Sequence, residues 1–334
     1  MTGGEFWRGR RVLVTGAGGF VGSWLAHRLV EQGAHVVCLL YERHRRRPSN
    51  LALLGDTERV TVVWGDLADA AGVEAAVRGE AVDTCFHLAA QPLVGIANDS
   101  PVSTFEANIL GTWTLLEACR NTPSVERVIV ASSDKAYGDQ DQLPYTEDMP
   151  LNGLYPYDAS KACTDLLARS YAKTFGMALA VTRMANIFGG GDFNLSRIVP
   201  GTIRAALVGE SPIVRSDGTP VRDYLYVEDA VDAYLTLAER LGDDGVAGEA
   251  FNFGTNAPVS VLELVARILA AAGRPDLEPQ ILSATKIHGE IDRQFLDSGK
   301  ADRVLDWRAT TSLDEGLRRS VVWYRAHLGE LDAA

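Results

Sequence analysis

Two short runs in this 334-residue chain hold side chains able to move protons. The first is Tyr157-Asp-Ala-Ser-Lys161. Tyr157 and Lys161 stand four apart, so on a helix they share a face. An ammonium beside a phenol favours the phenolate and lowers its pKa, which makes Tyr157 a usable base near neutral pH. The second run is Ser132-Ser133-Asp134-Lys135-Ala136-Tyr137-Gly138, which draws interest because of where it falls in the chain. An isolated Tyr-x-x-x-Lys is most often an amphipathic pair on a surface helix, so the surrounding elements decide what these runs mean.

Those elements begin near the start. Residues 11–14 read as a short buried strand, Gly16, Gly19 and Gly22 follow at three-residue spacing, and a helix through residue 30 ends at Gly33 before a strand over 35–40. Strand, glycine turn, helix and strand within about thirty residues form the unit that binds dinucleotides. Glycines permit the tight bend and let backbone approach a pyrophosphate, and the helix N-terminus offers free N–H groups to the anion. Further strands are expected at 60–64, 82–90, 126–132 and 177–183, with helices at 72–79, 101–120 and 157–175 between them. Such alternation implies a parallel, doubly wound sheet. Ligands in these sheets bind beyond the C-terminal strand ends, which is where Ser132 to Gly138 falls. Asp66, after the third strand, is placed to reach an adenine, and the small-residue loop from Leu88 lets a cofactor pass close to the backbone.

The strand tip at 41–47 carries two signals. A carboxylate there holds the ribose 2′-hydroxyl of NAD, whereas arginines hold the 2′-phosphate of NADP. Glu42 is followed by Arg43, Arg45, Arg46 and Arg47, so NAD is expected with NADP left open.

Composition narrows the class. Hydrophobic residues make up 46% of the chain and the formal net charge is −12, which argues against a general binder of nucleic acid or membrane surfaces. No apolar run reaches the ~18 residues of a membrane span, and residues 1–10 lack the apolar core of a signal peptide. Cys38, Cys85, Cys119 and Cys163 lie far apart, without metal or redox spacing, and read as small buried thiols in a reducing cytoplasm.

The C-terminal half has its own features. Asn186 is placed to meet a substrate, and Gly189-Gly-Gly-Asp192 lets a loop fold closely over a ligand. Ser260-Val-Leu-Glu263 has capping-box spacing for a helix to 272, and a last helix is expected at 312–327. Arg197, Arg204, Arg222 and Arg293 are candidates for a diphosphate, because guanidinium forks match phosphate oxygens and stay charged.

The set Gly16-x-x-Gly19-x-x-Gly22, Asp66, Ser133 and Tyr157-x-x-x-Lys161 resembles the extended short-chain dehydrogenase/reductase family over essentially the whole chain. Within it, His87-Leu-Ala-Ala-Gln-Pro-Leu-Val, Ser133-Asp-Lys and Asn186-Ile-Phe-Gly-Gly-Gly-Asp192 are most similar to the CDP-glucose 4,6-dehydratase branch. The resemblance implies a Rossmann α/β domain over 1–186 with 222–259, and a smaller α/β nucleotide-sugar domain over 187–221 with 260–334. It implies that Ser133, Tyr157 and Lys161 are the catalytic serine, tyrosine and lysine, and that Asp134 is the dehydratases' general acid. Cofactor contacts then fall on Gly16, Gly19, Phe20, Val21, Gly22, Glu42, Arg43, Asp66, Leu67, Leu88, Ala89, Ala90, Gln91, Asn108, Ser132, Tyr157 and Lys161. Substrate contacts fall on Gln91, Ser133, Asn186, Arg197, Arg222 and Arg293, of which Arg222 and Arg293 match the family's diphosphate positions. The 101–120 and 157–175 helices pair across a dimer axis in such relatives, so a homodimer is expected.

One departure stands out. Most sugar-nucleotide 4,6-dehydratases have a glutamate after the aspartate to remove the C5 proton, and this chain has Lys135, as CDP-glucose dehydratases do. A lysine base must be held neutral, with its pKa below the usual value of about 10.4. The expected reaction is NAD-assisted 4,6-dehydration of a nucleotide-diphosphate sugar. The alternative is 4-epimerisation through the same Tyr157 oxidation.

Overall fold

Alternate residues along the central strands are buried on opposite faces. Val12, Val14, Phe86, Ile129 and Ala131 enter one apolar cluster, while Leu13, Cys85, Val128 and Val130 enter another. This two-residue period with both faces covered is what a parallel sheet between helix layers requires. The structure, a computed structural model, describes residues 3–42, 49–282 and 291–332. Its main sheet has seven parallel strands in the order Ala250–Phe253, Leu179–Met184, Arg127–Ala131, Thr84–His87, Arg11–Thr15, His35–Tyr41, Thr61–Gly65. Helices Phe20–Glu31 and Val227–Glu239 bury Leu25, Leu29, Val231 and Leu235 against one face. Helices Ala70–Gly79, Gly111–Arg120 and Pro156–Phe175 bury Val77, Leu115, Cys119 and Ala168 against the other. The Rossmann arrangement expected from the alternation is therefore present.

Three small sheets follow. Asn186–Phe188 pairs with Tyr224–Tyr226, Val221–Arg222 lies between Val259–Ser260 and Arg293–Gln294, and Ile213–Val214 pairs with Gln280–Ile281. A third apolar cluster, including Phe188, Ile203, Leu264, Ile268, Leu317 and Tyr324, fills this part. Ser260 and Ser312 accept hydrogen bonds from the backbone of Glu263 and Glu315, so both helix starts follow the sequence signal. The chain then crosses back. Leu296, Ala301, Leu305 and Trp307, within the span 260–334, join the main core.

Local differences from the sequence reading have physical causes. The expected 101–120 helix is interrupted by a π-turn at Glu106–Leu110, between Pro101–Phe105 and Gly111–Arg120. Hydrogen bonds to the Asn108 carbonyl explain the interruption, because Thr112 Oγ1 (2.5 Å) and Thr164 Oγ1 (2.9 Å) both donate to it. Cys38, Cys85 and Cys119 are buried, but Cys163 is only half-buried, on the outer side of its helix. Short helices at Gly3–Trp7, Val94–Asp99 and Gly299–Leu305 had no sequence signal. The first of these buries Trp7 completely and lets its indole donate to Glu239 (2.6 Å).

Candidate active site

The glycine turn is closed to side chains by its own backbone. Gly16 has φ +76°, and a Cβ there would lie 2.8 Å from the backbone nitrogen of Ala89. A Cβ on Gly22 would overlap the carbonyl of Gly16. Gly19 is exposed at the N-cap of the Phe20–Glu31 helix and makes no side-chain cap. The first-turn N–H groups, Phe20 and Val21 among them, are thus free to meet an anion. This cradle of bare backbone at a helix N-terminus fits a dinucleotide's pyrophosphate.

Thr15 ties this turn to the next loop. Its hydroxyl accepts from the Leu88 and Ala89 amides, both at 3.1 Å, and meets His87 Nδ1 at 2.9 Å. Burial, then the charge of Lys161, pulls His87 down to about 3, so its ring is neutral. Past Ala90, Gln91 and Asn108 clasp each other: the Gln91 amide donates to Asn108 Oδ1 (2.7 Å), and Asn108 Nδ2 donates to the Gln91 carbonyl (3.1 Å). Asn108 Nδ2 also donates to Ser160 Oγ (2.9 Å), on the helix carrying Tyr157 and Lys161. The turn, the loop and the Pro156–Phe175 helix are therefore stitched together. Gln91 was expected to touch ligands, but its side chain is consumed inside the loop: Nε2 donates to Leu93 O and Thr104 Oγ1, and Oε1 accepts from the Leu93 amide.

Asp66 and Leu67 lie half-buried after the Thr61–Gly65 strand, and Glu42 is exposed after His35–Tyr41. Arg43, with Arg45 to Arg47, lies outside the described residues.

At the end of Arg127–Ala131, Ser132 donates to the Lys161 carbonyl (3.1 Å), while Lys161 Nζ donates to the Ala131 carbonyl (2.7 Å). Burial pulls Lys161 down to about 8. Ser133 caps a single 3₁₀ turn, Asp134–Tyr137. Its hydroxyl accepts from the Lys135 amide (3.2 Å) and donates to Asp134 Oδ1 (3.0 Å). Asp134 is buried, and burial raises its pKa against the opposing pull of Lys135, Ser133 and Arg222. A carboxyl so placed holds its proton more readily than an ordinary one, the direction a proton donor needs.

Tyr157 corrects the sequence reading. Its pKa lies above the usual phenol value, chiefly through burial and then through the Asp134 carboxylate, with Ser133 and Arg197 pulling it down. Lys161 is not among the largest of these influences, and its ammonium donates to the Ala131 carbonyl. The four-residue spacing is as expected, but it does not deliver the phenolate by itself.

The 134–137 turn rests on a buried network. Arg183 grips Asp165 with two bonds (2.8 and 3.0 Å) and donates to Tyr137 Oη (2.7 Å), which donates to Asn252 (2.7 Å). Lys135 Nζ reaches across to Gln294 Oε1 (3.0 Å), a fully buried residue. Sequence reasoning passed over Gln294, Arg183 and Asp158. Only Asp158 had a signal, its place beside Tyr157.

The arginine candidates divide. Arg197 pairs with Asp192 (2.9 Å) and acts on Tyr157. Arg293 is exposed on its strand, its guanidinium 5.9 Å from the Phe295 ring centre. Arg222 is buried, and its guanidinium donates to the carbonyls of Val221, Ile291 and Asp292. It anchors the strand that presents Arg293 while acting on Asp134. Arg204 pairs with Glu210 (3.1 Å). Asn186 is half-buried and donates to the Asp223 carbonyl through Nδ2 (3.3 Å).

Comparison with known proteins supplies the context for this geometry. A model of the NAD dependent epimerase/dehydratase family matches residues 12–254. The chain is 30% identical to the CDP-glucose 4,6-dehydratase of Salmonella typhimurium, covering 96% of this chain and 92% of that protein. It is 33% identical to the UDP-glucose 4-epimerase of Mycolicibacterium smegmatis, covering 94% and 98%. The dTDP-glucose 4,6-dehydratase of Streptomyces venezuelae, solved with NAD bound, superposes with a TM-score of 0.85 at 30% identity, covering 96% of this chain and 98% of that one.

Proposed function

Because the chain belongs to the NAD dependent epimerase/dehydratase family, we propose that it is an NAD-dependent nucleotide-sugar 4,6-dehydratase acting on a CDP-glucose-like substrate. The observation that carries this reading is Asp134: a buried carboxyl, inclined to hold its proton, beside the tyrosine that opens the reaction. Dehydration needs a donor for the departing C6 oxygen, and 4-epimerisation does not.

Gly16, Gly19, Gly22 and the first turn of Phe20–Glu31 would hold the pyrophosphate of NAD, with Asp66 and Leu67 assigned to its adenine and Leu88 to Ala90 to its passage along the backbone. When bound, NAD takes up hydride from the sugar's C4 and gives it back at C6, and its pyridinium charge favours a phenolate. Tyr157 accepts the C4 hydroxyl proton. Ser133 lies against that phenol and favours its ionised form. When Asp134 carries its proton, the negative charge that opposes ionisation of Tyr157 is absent. Asp134 then protonates the C6 oxygen, which leaves as water. Arg293, which is exposed, and Arg197, which is paired with Asp192, are the guanidinium groups assigned to the diphosphate. Residues 187–221 with the described residues of 260–334, less the returning segment at 296–307, would cradle the nucleotide sugar.

Incubation with nucleotide hexoses, CDP-glucose and dTDP-glucose included, tests this. We expect a product lighter by one water. Asp134→Asn should accumulate reduced cofactor and a 4-keto sugar that keeps its C6 hydroxyl. An unchanged mass with a new sugar isomer, and full activity of Asp134→Asn, would favour the epimerase instead.

The same helices point to a homodimer. Val102, Trp113, Leu166 and Phe175 are 66%, 44%, 56% and 51% exposed on the outer helices, a patch suited to a second copy. Light scattering at micromolar concentration should give twice the mass of one chain, and a stable monomer would end this proposal. Among the described residues no helix is long and apolar enough to cross a membrane, and the free thiols suit work in the cytoplasm.

A further inference from the structure

The corner beside Tyr157 holds one more carboxylate, Asp158. It follows Tyr157 in the first turn of Pro156–Phe175, against the 134–137 turn, and is only 3% exposed. Within the described residues no hydrogen bond or ion pair engages its carboxylate. A first-turn acid suits the helix dipole, but an exposed one would serve as well. Burying a carboxylate without a partner is costly unless something uses it. Its electrostatic neighbours are the reacting groups: Lys135 and Asp134 act on it from the turn, and it acts on Tyr157 from the same helix.

Lys135 is differently placed. Its ammonium donates to Gln294 Oε1, and as a base it would first have to lose a proton. We propose that Asp158 is the base that removes the C5 proton, with Lys135 as the cation that keeps it ionised and faces the enolate. This assignment rests on the dehydratase reading above.

The chemistry closes. The C5–H bond breaks, its electron pair forms a C4–C5 double bond, the carbonyl pair moves onto the C4 oxygen, and the proton bonds to Asp158. Asp134 gives its proton to the C6 hydroxyl, the C6–O bond breaks, water leaves, and the enolate becomes a ketone conjugated to a C5–C6 double bond. When hydride reaches C6, Asp158 returns its proton to C5. The proton that Tyr157 took from the C4 hydroxyl replaces the one that left Asp134.

Burial raises Asp158 to about 6, against the pull of Lys135 and with the push of Asp134. It is then ionised at neutral pH yet more basic than an ordinary carboxylate, as a general base should be. Further out, Arg222 acts on Asp134 and Arg197 on Tyr157.

The test follows deuterium exchange at C5 and cofactor reduction with CDP-glucose and dTDP-glucose. In the wild type, exchange should fall as pH drops through about 6, because protonated Asp158 cannot accept a proton. Asp158→Asn should slow exchange by about 10²–10⁴-fold while cofactor is still reduced, and Asp158→Glu should restore part of it. Lys135→Met should slow exchange without abolishing it and move its acid limb to higher pH. Wild-type exchange in Asp158→Asn, or exchange abolished in Lys135→Met, overturns the assignment. So does equal loss of exchange and C4 oxidation in Asp158→Asn without rescue by glutamate, the mark of a structural role. Wild-type enzyme that reduces its cofactor but neither exchanges C5 nor loses water defeats the dehydratase reading itself.

Discussion

At the glycine turn, Gly16 and Gly22 leave no room for a side chain, and Thr15, Gln91 and Asn108 spend their polar atoms on neighbouring loops. At the other end, Asp134, Lys135 and Asp158 crowd three ionisable groups into one buried corner, steadied from below by the Arg183–Asp165 pair and Tyr137. The first end works by shape and backbone dipoles, which cost no reorganisation when an anion arrives. The second works by charges whose burial shifts their proton affinity. One end can therefore be damaged sterically with its chemistry intact. The other can be damaged chemically with almost no change in shape.

The largest effect should come from the steric end. Gly22→Ala sets a methyl group against the carbonyl of Gly16, a backbone atom with nowhere to go. NAD binding and turnover should both fall to background, read by cofactor titration and by product formation. Retained NAD affinity would mean that the turn is looser than its geometry implies, and the contrast between the two ends would fail.

A smaller and more selective effect should follow at the chemical end. Tyr157→Phe removes one oxygen and keeps the ring, so NAD should still bind while turnover drops by about 10²–10⁴-fold, the range of a lost general base. Near-normal turnover would take Tyr157 out of the reaction. Loss of NAD binding in this variant would show that the two ends are coupled, as the link from Asn108 to Ser160 allows.

Much of this could be read from residue order. The strand periodicity, the glycine spacing and Tyr157-x-x-x-Lys161 depend on neighbours within one or two turns, so they survive reading one residue at a time. The helix caps at Ser260 and Ser312 do likewise. Arg222 shows where that reading stops. It is expected at the diphosphate because it matches the family's position, and what residue order does not show is that its guanidinium also donates to three backbone carbonyls, two of them some seventy residues away.

Sequence alone determined the parallel sheet and the strand–glycine turn–helix unit, because short-range spacing encodes both, and through family resemblance it proposed Ser133, Tyr157 and Lys161 for the chemistry. Tertiary structure decided how those groups behave. Burial with Asp134 raises the Tyr157 phenol where spacing from Lys161 implied a fall. Gln294, brought from 159 residues away, occupies the Lys135 ammonium. Packing of the 134–137 turn on the Pro156–Phe175 helix leaves Asp158 buried beside Asp134 and Lys135. Proton affinity depends on desolvation and on charges nearby in space, and neither quantity exists until the chain is folded.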